Sequence, residues 1–282
     1  MRIFKHLLAF FVLIVFSSQA ISQTKNKEED EDEDLSYGGI EIPGYVSANA
    51  SFSFGSTKGN YKINTLVLEG NSNDYMLPEF DVEVGIVDRL SLELITGYRK
   101  LVSKASLSTT KSNRSIKTNK TSNGLNSIML GANAGILSEN KLRPAMYIQN
   151  QFYLPKTGYS NFQNDQLGYF ATFNFENTFS DISYLDYSFG AGWDGNNPYA
   201  IYNFNINPNF YLTDDILVYA DLGGNYSKYS DPVNLNDIGT TITFSDLFSI
   251  DAYIGNELQT KSFAKSCYGA LKFTFEFDAF AE

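Results

Sequence analysis

The feature that most constrains this chain is an alternation of apolar and polar residues with a period of two, repeated in segments of about ten residues across most of its length. Phe80, Val82, Val84 and Ile86 alternate with Asp81, Glu83 and Gly85. Leu185, Tyr187, Phe189, Ala191 and Trp193 alternate with Asp186, Ser188, Gly190, Gly192 and Asp194. Tyr202, Phe204, Ile206 and Phe210 alternate with Asn203, Asn205, Asn207 and Asn209. The same pattern runs through 90–98, 128–136, 146–154, 169–176, 216–225, 238–244, 250–258 and 271–277. A period of two places one set of side chains on each face of a strand. Strands of about 9–11 residues are what a tilted strand needs to cross hydrocarbon. No stretch beyond the N-terminal region is long and apolar enough for a membrane-spanning helix.

The connections alternate as well. Short ones fall at Val87-Asp88-Arg89, Ser138-Glu139-Asn140, Ser180-Asp181, Thr213-Asp214-Asp215 and Ser245-Asp246. Longer ones are expected at 70–75, 100–123, 155–165, 194–199, 227–236 and 259–264. Short periplasmic turns opposite long extracellular loops are the outer-membrane pattern. Parity then requires one rising strand before 76–86, and Asn60–Gly70 is the best candidate. The predicted fold is all-β: a twelve-stranded antiparallel transmembrane β-barrel with both termini in the periplasm. The segment 45–54 also looks strand-like. It is left outside the count as a lead-in or extension, because a thirteenth strand would break parity.

The N-terminus predicts export. Arg2 and Lys5 precede an apolar run from Leu7 to Phe16, and Ala20 and Ser22 suit cleavage before Gln23. The domain expectation is a signal peptide at 1–22, an acidic, disordered periplasmic segment at 23–56, and the barrel at 57–282. The acids Glu28 to Asp34 lack the glycine and spacing of a calcium loop and read as a solvated tail. The expected location is the outer membrane of a Gram-negative bacterium. The partners are outer-membrane lipid, lipopolysaccharide and the barrel-assembly machinery.

Reactive side chains are scarce. His6, the one histidine, leaves with the signal, and Cys267, the one cysteine, has no disulfide partner. A mature chain without histidine cannot assemble a Ser-His-Asp or Cys-His arrangement, nor a His-ligated zinc or iron site. No enzyme activity, cofactor or metal is expected. The formal net charge of −11 argues against nucleic acid. Cys267 shares parity with Leu271 and Phe273 and is expected to be a buried or lipid-facing, inert thiol.

Alternation also nominates the lumen. Asp81, Glu83, Glu93, Glu176, Asp186, Asp221, Asp251, Glu257 and Glu276 fall on the polar face, with Arg99 and Lys272 among fewer bases. An acidic lumen would favour cations or polar solutes by electrostatic focusing. The same charges could instead pair across a filled lumen, giving a closed structural or surface-interaction barrel. Twelve strands lie between small filled barrels and open porins. The stretch from Arg99 to Asn123 carries Lys104, Lys111, Arg114, Lys117 and Lys120 and no acid. As an extracellular loop it could meet lipopolysaccharide, cover the acidic mouth, or simply be mobile.

Several motifs resemble one known family. Thr57-Lys58-Gly59-Asn60 precedes Leu77-Pro78-Glu79-Phe80, and a turn follows with Gly85-Ile86-Val87-Asp88-Arg89-Leu90-Ser91-Leu92-Glu93-Leu94. These resemble the outer-membrane barrel family named for the meta-pathway of phenol degradation, often labelled a transporter. Val84 stands where that family has tyrosine, and Val87 where it has threonine. Gly192-Trp193-Asp194-Gly195 resembles the family's Bacteroidota members. The resemblance covers about residues 57–277 and implies a twelve-stranded barrel with a transport role. It assigns no ligand residue.

Overall fold

The computed structural model describes residues 43–63, 66–109, 112–140, 143–228, 232–259 and 265–279. The signal segment and the acids Glu28–Asp34 lie outside them. The strands are β1 (Tyr45–Ile63), β2 (Leu66–Val87), β3 (Leu90–Thr109), β4 (Ser112–Leu125), β5 (Met129–Leu137), β6 (Ala145–Tyr153) and β7 (Gly168–Ser180). They continue as β8 (Ser183–Trp193), β9 (Ile201–Thr213), β10 (Ile216–Ser227), β11 (Val233–Ser245), β12 (Phe248–Gln259) and β13 (Lys265–Asp278).

Each strand pairs antiparallel with its neighbours, and β1 pairs with β13 from Tyr45↔Asp278 to Lys58↔Lys265, so the sheet closes on itself. The one branch is at β3. Its first half, Leu90–Ile95, pairs with β5, and its second half, Tyr98–Thr109, pairs with β4. Thus β4 and β5 are two halves of a single stave, interrupted at residues 126–128. The thirteen segments form a twelve-stranded barrel of outer-membrane type. Closure removes the unpaired backbone that hydrocarbon would not tolerate.

The apolar face points outward. Phe80 is 50% exposed, Phe189 53%, Ile238 65% and Ile254 61%, while the buried apolar side chains are few. A soluble sandwich would bury this face between two sheets; here it is the exterior, as lipid contact requires. On β8 the outward residues run from Leu185 to Trp193. At about 3.3 Å per residue and a tilt near 40°, they cover roughly 20 Å along the barrel axis, close to the apolar band of such barrels. Cross-strand rings cover this exterior: Phe175 stacks on Tyr187 at 5.0 Å, and Phe248 packs on Phe275 at 4.9 Å.

The first third of the wall differs from expectation. The first stave is β1 itself, so the segment 45–54 belongs to the barrel, which begins at Tyr45 and not at residue 57. Residues 60–63 and 66–70 pair with one another at the far end of β1 and the start of β2, with Asn60↔Glu69 and Gly59↔Gly70 in register. Of the loops expected at 70–75 and 100–123, residues 70–75 are strand in β2, and residues 100–109 and 112–123 are strand in β3 and β4. The count of twelve survives because one stave replaces another. The cause of the misplacement is physical: these strands rise beyond the hydrocarbon, where both faces meet water and the period-two pattern fades. β1, β2 and β3 have 19, 22 and 20 residues, against 9 in β5 and β6. They form a curved extension above the barrel on the long-loop side.

Two irregularities follow from proline. A bulge between Met76 and Glu79 accommodates Pro78, which cannot donate to the ladder. Pro208 lies inside β9, and the β9–β10 pairing skips from Tyr219↔Asn209 to Leu222↔Ile206 beside it.

Candidate functional site in the barrel lumen

Cross-strand register fixes which side chains share the inner face. Asn49, Asp81 and Ile95 form one row; Ser47, Glu83, Glu93 and Gly131 form the next. Glu176 faces Asp186, Asp221 faces Asp237, and Asp251 faces Lys272. Glu257 and Glu276 lie on this same face at its two ends, opposite Ser266 and Ser47. Arg99 faces Met76 at the upper end, where the extension begins. At this wall the outside is apolar and the inside is polar and mostly acidic.

The polar groups bond along the wall. Glu83 accepts from Ser91 and from Asn133 Nδ2 (2.8 Å), and Glu93 accepts from Gln151 (3.2 Å). Asn209 donates to Asp186 at 3.0 Å, and Asn205 donates to Asp221. Tyr219 Oη reaches Asp251 at 2.8 Å, and Tyr268 Oη reaches Asp237 at 2.9 Å. The last two bonds each skip a strand, and the skipped residue is a glycine: Gly239 under Tyr219 and Gly255 under Tyr268. A Cβ on Gly239 would stand 2.8 Å from Tyr219 Cε1, and one on Gly255 would stand 2.7 Å from Tyr268 Cζ. Gly131 leaves the same room for Glu93, whose Cβ would be 2.8 Å away. Long side chains therefore lie flat over glycines rather than projecting toward the axis.

This decides the bore. Twelve strands about 4.8 Å apart, tilted near 40°, give a backbone diameter of roughly 24 Å. Side chains standing upright on every strand would fill much of it. Among the described residues, none of these hydrogen bonds crosses the lumen, and strands approach only their ladder neighbours. Cavities of about 470 Å³, lined by Tyr153, Phe170, Asp194 and Asn203, and about 240 Å³, lined by Tyr147, Glu176, Asp186 and Asn207, lie along one wall.

The mouth is built by the chain between β6 and β7. Where β4 and β5 part, this connection docks: Tyr159 N donates to Leu125 O (2.8 Å), Ile128 N to Thr157 Oγ1 (2.9 Å), and Asn164 N to Ser127 Oγ (2.9 Å). Gly158 makes the approach possible, since a Cβ there would sit 2.8 Å from Ser127 N. Docking buries Phe162 to 7% exposure beneath Arg99, whose guanidinium lies 5.4 Å from the ring centroid. Asp74 holds the guanidinium from the other side through Nε (2.9 Å) and Nη2. Glu79, Thr96, Arg99, Tyr153 and Phe162 line a cavity of about 380 Å³ here. The β8–β9 connection latches onto this loop: Asn164 Nδ2 donates to Asp194 O (2.7 Å), and Asp165 N donates to Asn196 Oδ1 (3.0 Å). Partial burial pushes the Asp194 carboxyl up, but hydrogen bonds from Asn197 and Asn196 outweigh it and hold the group below its usual range.

The basic stretch divides between faces. Lys104 and Lys117 share the outward parity of the β3–β4 hairpin, while Lys120 faces Ser103 on the inner side. Lys111 lies outside the described residues, and Arg114 is placed only as a member of β4. Cys267 is exposed rather than buried: it lies on the outward face opposite Ser56, above the apolar band. Among the described residues no cluster of His, Cys, Asp or Glu has metal-holding geometry. Sequence reasoning missed Asp74 and Glu79, hidden by an expected loop and by the bulge at Pro78, and Asp237, which continues the parity of Gly239 and Thr241. Phe162 gave no signal at all, because its burial depends on a break in another strand.

Comparison with known proteins is informative about fold. No family model matches the chain, and no curated protein matches it. Among solved structures, an outer-membrane channel from Pseudomonas putida F1 is similar at 13% identity and a TM-score of 0.58, covering 88% of this chain and all of that one. The transport unit of the autotransporter AIDA-I from Escherichia coli is similar at 9% identity and a TM-score of 0.62, covering 93% and 97%. The two differ in role, so the likeness is one of architecture. The chain has the outer-membrane barrel fold.

Proposed function

We propose that this protein is a passive outer-membrane channel for small polar solutes, favouring cations over anions. The carrying observation is that the luminal polar groups bond along the wall, over glycines, and that none of these bonds crosses the bore. The acids Glu79, Asp81, Glu83, Glu93, Glu176, Asp186, Asp221, Asp237 and Asp251 outnumber Arg99 and Lys272 on the inner face, so the bore attracts cations. The similar Pseudomonas putida structure is an outer-membrane channel, which agrees with this reading. So does the resemblance of the Leu77-Pro78 opening and the Asp88-Arg89 turn to the meta-pathway barrel family.

Planar-bilayer recording tests it. The purified barrel should conduct, with a reversal potential on the cation side in a salt gradient. A charge about 6 Å from an ion in water contributes roughly 0.3–0.7 kcal/mol after screening, or 1.5- to threefold in permeability ratio. Asp81→Asn, Asp186→Asn and Asp251→Asn combined should therefore reduce cation preference several-fold. Absence of conductance, together with no solute-dependent liposome swelling, would sink the proposal and leave a structural barrel.

A further inference from the structure

The outward face of the extension carries a feature the channel reading does not use. Cross-strand register there aligns Lys265, Lys58, Asn71, Lys104 and Asn119 in one continuous row across β13, β1, β2, β3 and β4. One rung further out, Asn60, Glu69, Ser106 and Lys117 form the next row. These two rows line a trough of about 960 Å³ on the outward face of the extension. Lys58, Lys104, Lys117 and Lys265 are all exposed, and among the described residues none of them is ion-paired. Glu69 is the one carboxylate in the trough. On an otherwise acidic protein this is a concentrated cationic surface.

Its height identifies what it meets. Phe54 and Tyr75 face one another in the outward row that ends the aromatic exterior, with Lys100 beside them. The row of Lys58 and Lys104 is two same-face rungs above. Each rung advances about 6.7 Å along a strand, or roughly 5 Å along the axis at a tilt near 40°. The ammonium groups thus stand about 10 Å above the aromatic row, at the level of lipid headgroups, and face sideways along the membrane surface.

We infer that this trough binds the phosphate groups of an anionic glycolipid in the outer leaflet. The asparagines between the lysines add neutral donors for phosphate oxygens, and a concave face lets several cations converge on one headgroup. The inference rests on the outer-membrane placement proposed above and not on conduction, so the two fail separately.

Cys267 supplies a reporter. It is the chain's single cysteine, is exposed, and lines the trough beside Lys265. The full-length barrel, labelled there with an environment-sensitive thiol fluorophore, should respond saturably to mixed micelles containing diphosphoryl lipid A. It should respond weakly to micelles of phosphatidylcholine alone, to dephosphorylated lipid A and to inorganic phosphate. Each lysine near such a surface contributes about a fivefold factor, so K58Q/K104Q should weaken lipid A binding roughly 30-fold at low salt. Heat-modifiable gel migration should be unchanged in this variant, which shows that it is folded whether or not the barrel conducts. Equal responses to phosphorylated and dephosphorylated lipid A, saturation by inorganic phosphate alone, or wild-type affinity in K58Q/K104Q would each overturn the inference.

Discussion

Replacing Gly239 with alanine tests the claim that glycines make room for side chains lying along the luminal wall. Gly239 lies between Tyr219 and Tyr253 in register, and its φ is not in the left-handed region, so the backbone accepts alanine. Taken alone, the lost chain entropy of the unfolded state would make the change neutral or stabilising by up to about 1 kcal/mol. The ring reverses that sign. The new methyl would stand 2.8 Å from Tyr219 Cε1 and closer to its phenol end, where about 3.5–4.0 Å is required. The wall lies behind, so the ring must withdraw by about 1 Å or more toward the axis, breaking its 2.8 and 3.0 Å bonds to Asp251. Loss of a hydrogen bond to a charged group costs about 1.5–3 kcal/mol, and an off-rotamer ring about 0.5–1.5. The net expectation is a destabilisation of about 1–4 kcal/mol, with reduced conductance from a ring that now projects. Urea unfolding of the liposome-inserted barrel, followed by heat-modifiable gel migration, measures the first; single-channel recording measures the second. Tyr219→Ser removes the ring and should make Gly239→Ala nearly free, giving a coupling above about 1 kcal/mol in the double-mutant cycle. A cycle without coupling, or a G239A barrel as stable and as conductive as wild type, would refute the paving argument.

Other changes probe the mouth. Arg99→Gln removes the cation held between Asp74 and Phe162 and should loosen the β6–β7 connection, seen as faster proteolysis near Lys156 in intact vesicles; unchanged cleavage would count against the docking role. Gly195 has φ +76° and its Cβ would stand 3.0 Å from Gly168 N, so Gly195→Ala should release the latch by about 1–3 kcal/mol locally, measured by hydrogen exchange of Gln166. The depressed Asp194 carboxyl stabilises the latch above its unfolded pKa, and that contribution fades as pH falls through the lower folded value. Protection of residues 194–197 should therefore persist at mildly acidic pH and decline only in stronger acid. Asp194→Asn should flatten that dependence, and a decline centred near neutrality would contradict it.

What could be read in the sequence follows from which solvents a strand meets. β8 and β9 separate lipid from lumen, so Leu185–Trp193 and Tyr202–Phe210 display alternation that announces both faces. β1 beyond Phe54, the first half of β2 and the β3–β4 hairpin meet water on both sides. Thr57-Lys58-Gly59-Asn60 and the serine- and lysine-rich 103–109 and 112–120 consequently look like loop, although they are paired strand. Parity recovered the number of staves but assigned the first of them to the far end of β1 and the start of β2. The luminal face could be enumerated because parity is local. Its bonding could not, since Tyr219 with Asp251, or Asn133 with Glu83, depends on which strand lies between them and on that strand offering Gly239 or Ser91. Phe162 was further out of reach: its burial requires the break at 126–128 and a neighbouring loop bent into it.

The same device recurs around the barrel, and its mechanical consequence bears on how permeation could be controlled. Tyr219 to Asp251 over Gly239, Tyr268 to Asp237 over Gly255, and Asn133 to Glu83 past Ser91 each tie two staves separated by a third. A bond of this kind resists shear of both intervening ladders at once, so it stiffens the wall. A wall braced in this way has little freedom to narrow, and a channel built on it has a fixed bore. Control then falls to the mouth, where the fastening is of another kind: backbone and asparagine contacts between the β6–β7 and β8–β9 connections, with Arg99 clamped at one edge. Apart from the Arg99–Asp74 pair, these bonds fasten the connections to one another and to the break between β4 and β5 rather than stave to stave. They lie outside the barrel ladder, so the connections can part while the staves stay paired.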